Sequence, residues 1–72
     1  MSEKYTVDIV KHIGTLAKRE KNTLELNIVS WNGREPKFDI REWSADHKTM
    51  TRGLTFTREE IDALAQILQD VK

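Results

Sequence analysis

The sequence has no cysteine, a single proline and only three glycines among 72 residues. Without cysteine there is neither a disulfide framework nor a thiolate metal site, two of the supports a chain this short can rest on. At this length residues 1–72 form one domain, near the lower limit at which a lone core is stable. Long apolar runs are missing, as is an N-terminal pattern of charge, apolar stretch and small residues. Neither a membrane span nor export is expected, and the expectation is a cytoplasmic protein, nucleoid association included. Net charge is missing too, since twelve Lys/Arg balance twelve Asp/Glu. That balance argues against a general nucleic-acid glue, but the charges are unevenly spread. Residues 1–56 hold ten Lys/Arg against eight Asp/Glu, whereas residues 57–72 hold two against four. Base is enriched in the strands and acid at the C-terminal end, a mild asymmetry consistent with a binding face.

Signatures of catalysis are also lacking. His12 and His47 are the only imidazoles, and Asp46-His47 has no further ligand at metal-binding spacing. An exposed loop histidine is the plainer reading. There is no Gly-rich phosphate loop, no nucleophile elbow and no paired acids in a recognisable setting, and Ser30 and Ser44 have no evident base. No enzyme activity, metal, cofactor or small-molecule substrate is expected.

What the chain does have is alternation. Tyr5, Val7 and Ile9 suit a strand over residues 5–13, after which the apolar period slips at Gly14. A bulge or bend there restores the apolar face; a strand that simply ends at Gly14 is the alternative. After the polar turn Arg19-Glu20-Lys21-Asn22, a second strand runs from Thr23 to Trp31 with Leu24, Leu26 and Ile28 on one face. Asn32-Gly33 is a strong turn signal, yet a two-residue loop places Leu26 opposite Asp39. A connection of odd length instead pairs Ile28 with Phe38, Leu26 with Ile40 and Glu25 with Arg41. The same parity pairs Ile40 with Leu54 and Phe38 with Phe56, across a polar loop through residues 44–48. It also sets Gly53 opposite Arg41 and Thr51 opposite Trp43. A glycine there leaves a shelf for a ligand, or else accommodates sheet curvature. Thr57-Arg58-Glu59-Glu60 is a capping box opening a helix to about Val71. The stripe Ile61, Leu64, Ile67, Leu68 and Val71, widened by Ala63, is broader than one small sheet needs for cover. With no staple in the chain, it points to a homodimer.

The face opposite Phe38 and Ile40 carries Lys37, Asp39, Arg41 and Trp43. Trp31 shares that parity with Arg19. Lys18, Lys21, Arg34, Lys48 and Arg52 stand in or beside turns. Aromatic rings among cations suit single-stranded nucleic acid, which needs flat surfaces for bases and positive charge for phosphates. Sealing the rim of a small sheet is the alternative role for either tryptophan.

Phe38-Asp39-Ile40-Arg41-Glu42-Trp43, a short loop, Arg52-Gly53-Leu54-Thr55-Phe56-Thr57 and then Glu59-Glu60 resemble the Positive Cofactor 4 family of transcriptional coactivators. The chain looks most like its short bacterial YdbC-like members, with residues 23–69 carrying the resemblance. The resemblance implies a dimer whose curved sheets bind single-stranded DNA, with the helices at the dimer interface. By this resemblance Trp31 matches the family's aromatic in the turn after strand two, Arg41 and Trp43 its strand arginine and following aromatic, and Lys48 and Arg52 its basic positions before the glycine. Departures are Ser44 in place of a second stacking ring, and Leu24 and Val29 where basic residues occur. There is no Ser/Lys-rich tail.

Taken together, an α+β fold is expected: a four-stranded curved antiparallel sheet followed by one C-terminal helix, as a homodimer. The expected function is single-stranded-DNA binding with little sequence preference. Trp31 and Trp43 stack bases, while Lys18, Arg19, Lys21, Arg34, Lys37, Arg41, Lys48 and Arg52 hold phosphates. The rival readings are a protein-interaction module anchored by the same Trp/Arg face, and an RNA-binding chaperone.

Overall fold

The β2–β3 hairpin fixes everything beside it. A computed structural model describes residues 6–71, so the notional strand residue Tyr5 lies outside the described residues. It holds β1 (Val7–Lys18), β2 (Asn22–Trp31), β3 (Lys37–Ser44), β4 (Leu54–Phe56) and α1 (Arg58–Val71). The strands form one antiparallel sheet in the order β1-β2-β3-β4. The α+β class is as expected, four strands and then a helix.

Register follows the parity argument. Ile28 pairs with Phe38, Leu26 with Ile40 and Glu25 with Arg41, while Ile40 pairs with Leu54 and Phe38 with Phe56. Asn32 and Gly33 take positive φ of 55° and 74°, and Arg34 N–H donates to the Trp31 carbonyl at 2.9 Å. The Asn-Gly turn therefore forms, but inside a longer connection through residues 32–36, which preserves the apolar match. One expected pairing differs. Trp43 bridges Met50 rather than Thr51, because the ladder slips between Ile40 and Trp43 and Thr51 instead bonds the backbone of Glu42.

β1 bends more than its one internal glycine suggested. Its ladder with β2 slips at Ile9/Lys11, His12/Gly14 and Thr15/Ala17, leaving Val10, Ile13 and Leu16 as extra residues. Alternation from their paired neighbours turns all three to the face of Leu24, Leu26 and Ile28. Apolar residues spaced by three thus stay on one side of a strand whose own period is two. The slip at Gly14 is as expected. The other two have no glycine, and Gly14 itself has no positive φ, so glycine does not govern the bulges. Each bulge bends and twists the strand further.

The two faces are buried in the opposite sense to the sequence expectation. Among the described residues, those buried are Glu25, Asn27, Val29, Ser30, Asp39 and Trp43, all but Ser30 on the face read as presented. Leu24, Leu26, Ile28, Phe38 and Ile40 are only half-buried, and Val10, Leu16 and Leu54 are exposed. The reason is cover. On the polar, inner face, side chains of β2, β3 and the following loop pack on one another, Arg41 against Asp39 and Trp31, and His47 against Glu25 and Trp43. On the outer, apolar side, α1 reaches only β3 and β4 and leaves β1 and β2 open. The radius of gyration, 13.4 Å, exceeds the roughly 11 Å of a compact domain of this length.

The helix starts as its capping box requires. Glu60 N–H donates to Thr57 Oγ1 at 3.1 Å, and Thr57 N–H donates to Glu60 Oε1 at 2.9 Å. Ile61 and Leu64 are half-buried, whereas Ile67, Leu68 and Val71 stay exposed.

Gly53 is explained by a filled space rather than an open shelf. A Cβ there would collide with the Arg41 side chain and the Ile40 carbonyl. Gly53→Ala is expected to destabilise the fold by about 1–3 kcal/mol, the range for overpacking a closed site. Urea denaturation measures this, and an unchanged midpoint would contradict it.

Candidate nucleic-acid interface

The register carries Val7, Ile9, His12, Thr15 and Lys18 of β1 onto the inner face. They join Thr23, Glu25, Asn27, Val29 and Trp31 of β2 and Lys37, Asp39, Arg41 and Trp43 of β3. Two carboxylates at the centre of this face organise the rest. Asp39 is fully buried and accepts a two-pronged contact from Arg41, Nε at 2.7 Å and Nη2 at 2.8 Å, plus the Thr55 hydroxyl at 3.1 Å. Arg41 also donates to the Thr51 carbonyl at 3.2 Å, and its guanidinium carbon lies 4.7 Å from the centre of the Trp31 ring. Cation, carboxylate and indole thus form one stacked unit.

Glu25, 4% exposed, accepts hydrogen bonds from the Thr23 hydroxyl, Asn27 Nδ2 and His47 Nε2. Burial pushes its carboxyl up, but these three bonds and the nearby His47 charge outweigh burial and hold it below the ordinary 4.5. The expected Glu25–Arg41 ion pair does not form, although the two residues stand opposite each other. Asp39, two residues before Arg41 on the same face, takes both prongs of the guanidinium first.

The sequence-derived site residues divide by place. Lys18, Arg19 and Lys21 lie at the β1–β2 turn, and the Asn22–Ser44 pairing brings Lys48 to the same end of the sheet. Arg34 and Lys37 lie at the other end, and Arg52 stands beside Gly53 on the approach to β4. All seven are exposed. Arg19 is engaged with Glu42 at 3.0 Å, and this contact, with a bond from Asn22, holds the Glu42 carboxyl below its usual range. Trp31 is half-buried at the end of β2. Two residues depart from the roles read for them. Arg41 is committed to Asp39, with its side chain 11% exposed, and Trp43, 3% exposed, is packed with its ring centre 5.6 Å from that of His47. Neither offers an open cation or an open ring on the surface.

His12, Glu25, Asn27 and His47 were missed as a group. The bulges of β1 bring His12 opposite Asn27, and a positive φ of 59° at His47 turns its ring back over the sheet. The parity of β2 alone put Glu25 and Asn27 on one face; nothing local announced the histidines. Among the described residues, no three acidic or imidazole groups converge as a metal ion would need, and no helix is long and apolar enough to cross a membrane.

Residues 18–67 match the family described as Transcriptional Coactivator p15 (PC4). The chain belongs to that family. Membership in the PC4 family carries a DNA-binding, coactivator-like class of function. All ten site positions named above fall inside the match, whereas most of β1, with His12, falls outside it. The chain is also 39% identical to an uncharacterized protein of Treponema pallidum (strain Nichols) over 72 residues, covering 99% of this chain and 85% of the relative.

Glu25 gives this PC4-family face an acid limb. Its folded pKa is depressed, so its stabilisation is complete above the unfolded value of 4.5 and lost as pH falls through the lower folded value. Between pH 6 and pH 3, denaturation midpoints should fall more steeply for the wild type than for Glu25→Gln. Parallel slopes would contradict the assignment.

Proposed function

We propose that this protein is a homodimeric single-stranded-DNA-binding protein with little sequence preference, whose strand lies along the inner face of the sheet. The observation that carries this reading is the distribution of charge: exposed cations stand at both ends of that face, around a floor whose own charges are met by hydrogen-bond partners. A strand crossing it meets Lys18, Lys21 and Lys48 at one end, where Arg19 is already engaged with Glu42, and Arg34 and Lys37 at the other, with Arg52 alongside. Trp31 offers the stacking surface, its ring backed by the Arg41 guanidinium. Arg41 and Trp43 act as positioning residues that hold this floor. Membership in a coactivator family supports the nucleic-acid assignment, and the hydrogen-bonded floor supports binding without base readout.

Homodimerisation covers the apolar face. Val10, Ile13, Leu16 and Leu54 of the sheet and Ile67, Leu68 and Val71 of the helix are exposed in one chain. A second copy buries them, with Ile61, Leu64, Ile67, Leu68 and Val71 at the interface. Sedimentation of the wild type at micromolar concentration should give a dimer, and Leu68→Glu, which puts a charge into that interface, should give monomer or unfolded chain. A stable wild-type monomer would contradict this.

Affinity for oligo-dT should fall steeply with salt and exceed affinity for duplex. Lys37→Ala should flatten the slope of log affinity against log salt by roughly 0.7, one phosphate's share on a single strand. Trp31→Ala should weaken binding by ~1–3 kcal/mol with the slope unchanged, because stacking releases no counterion. Binding indifferent to salt would favour a protein-interaction module on the same face, and a preference for RNA oligomers would favour an RNA chaperone.

A further inference from the structure

Between β1 and the β3–β4 loop, the inner face holds a recess of about 280 Å³ lined by Ile9, His12, Glu25 and His47. A chain of hydrogen bonds fixes both imidazole tautomers there. Asn27 Nδ2 donates to Glu25 Oε1 at 3.1 Å, so Asn27 Oδ1 faces His12 and accepts from its Nδ1–H at 2.7 Å. His47 Nε2–H donates to Glu25 Oε2 at 2.9 Å. The inward nitrogen of each ring therefore carries its proton in either charge state. A second proton goes to His12 Nε2, which stands 3.5 Å from the Thr15 hydroxyl, or to His47 Nδ1, adding charge without breaking the bonds to Asn27 and Glu25.

His47 is held for this arrangement at a cost. Its φ of 59° is uncommon for a residue with a β-carbon, and it is secured by its own N–H bonded to the Ser44 carbonyl at 2.9 Å. The neighbouring Asp46 carboxylate caps the same turn through the Ser44 hydroxyl and Lys48 N–H.

With Glu25 ionised, the cluster carries −1 when both rings are neutral and +1 when both are protonated. The other charged groups on or beside this face are the paired Asp39 and Arg41, Lys18 at the end of β1, Lys37 at the start of β3, and Asp46 and Lys48 flanking His47, with Arg19, Lys21, Arg34 and Arg52 in the turns and loops around it. Imidazole is the side chain whose ordinary charge change falls between pH 5 and 8; carboxylate, ammonium and guanidinium change theirs elsewhere.

We infer that His12, Glu25 and His47 form a proton-gated phosphate contact on the strand-binding face: protonated, the recess takes one phosphodiester of a bound strand, and with both rings neutral it repels it. This rests on the function proposed above and extends it to a contact that reverses sign with pH.

Fluorescence anisotropy of labelled oligo-dT at fixed salt, at about pH 8 and about pH 5.5, tests it. Wild-type affinity should rise on the order of tenfold on acidification, with a salt slope steeper by roughly 0.7, the share of the one phosphate gained. The double variant His12→Gln with His47→Asn should lose that rise; asparagine is chosen because it tolerates the left-handed backbone at position 47. Binding that is flat with pH, or an equal rise in the double variant, overturns this inference while leaving single-strand binding in place. Absence of oligo-dT binding at either pH overturns both.

Discussion

Two carboxylates taken out of water set the terms for this structure. An ionised carboxylate buried without partners costs several kcal/mol, so each must be met by donors. Asp39 is met by Arg41 and Thr55, and Glu25 by Thr23, Asn27 and His47. Much else follows from those demands. The Arg41 guanidinium, folded back toward Asp39, lies beside Gly53, where a β-carbon is excluded by the Arg41 β-carbon and the Ile40 carbonyl. The same guanidinium lies against Trp31, and the β3–β4 loop takes a left-handed turn at His47 to bring a donor to Glu25.

This polar economy divides labour between the faces of the sheet. The inner face is hydrogen-bonded at its centre, where Asp39 is paired with Arg41 and Glu25 is met by three donors, with exposed lysines and arginines left to its ends. The outer face is apolar and open over β1 and β2, since α1 reaches only β3 and β4. A sheet of this kind suits two different partners, a polyanion on one side and a hydrophobic surface on the other. The three bulges of β1 make that division work. Without them, Val10, Ile13 and Leu16 could not all share a face with Leu24, Leu26 and Ile28.

Where the sequence was legible, the constraint was local or a matter of parity. Thr57 and Glu60 are three apart and satisfy each other, so the helix start could be read directly. The β2–β3 register was readable because a one-residue slip moves Leu26 opposite Asp39, which either buries the acid or strands the leucine. Parity says which residues share a face, however, and not what covers it. Hence the inversion of burial, and hence Trp43 packed where an open ring was expected. The Glu25–Arg41 pairing failed for a related reason: register was right, but Asp39 on the same strand offers a guanidinium both oxygens at once. The histidine cluster was illegible because it depends on bulges without glycine and on a left-handed backbone at a histidine, where asparagine or glycine would be the usual signal.

The central claim is that a single strand lies along the inner face and leaves the apolar face alone. Mapping oligo-dT onto the isotope-labelled protein by NMR tests it most directly. The account predicts the largest changes at the Trp31 indole N–H, at the His47 ring and at the amides of Lys18, Lys37 and Lys48. Residues of α1 between Arg58 and Val71, and Leu24, Leu26 and Ile28, should change little. Changes confined to the helix and that leucine–isoleucine face, with Trp31 and His47 unmoved, would contradict it.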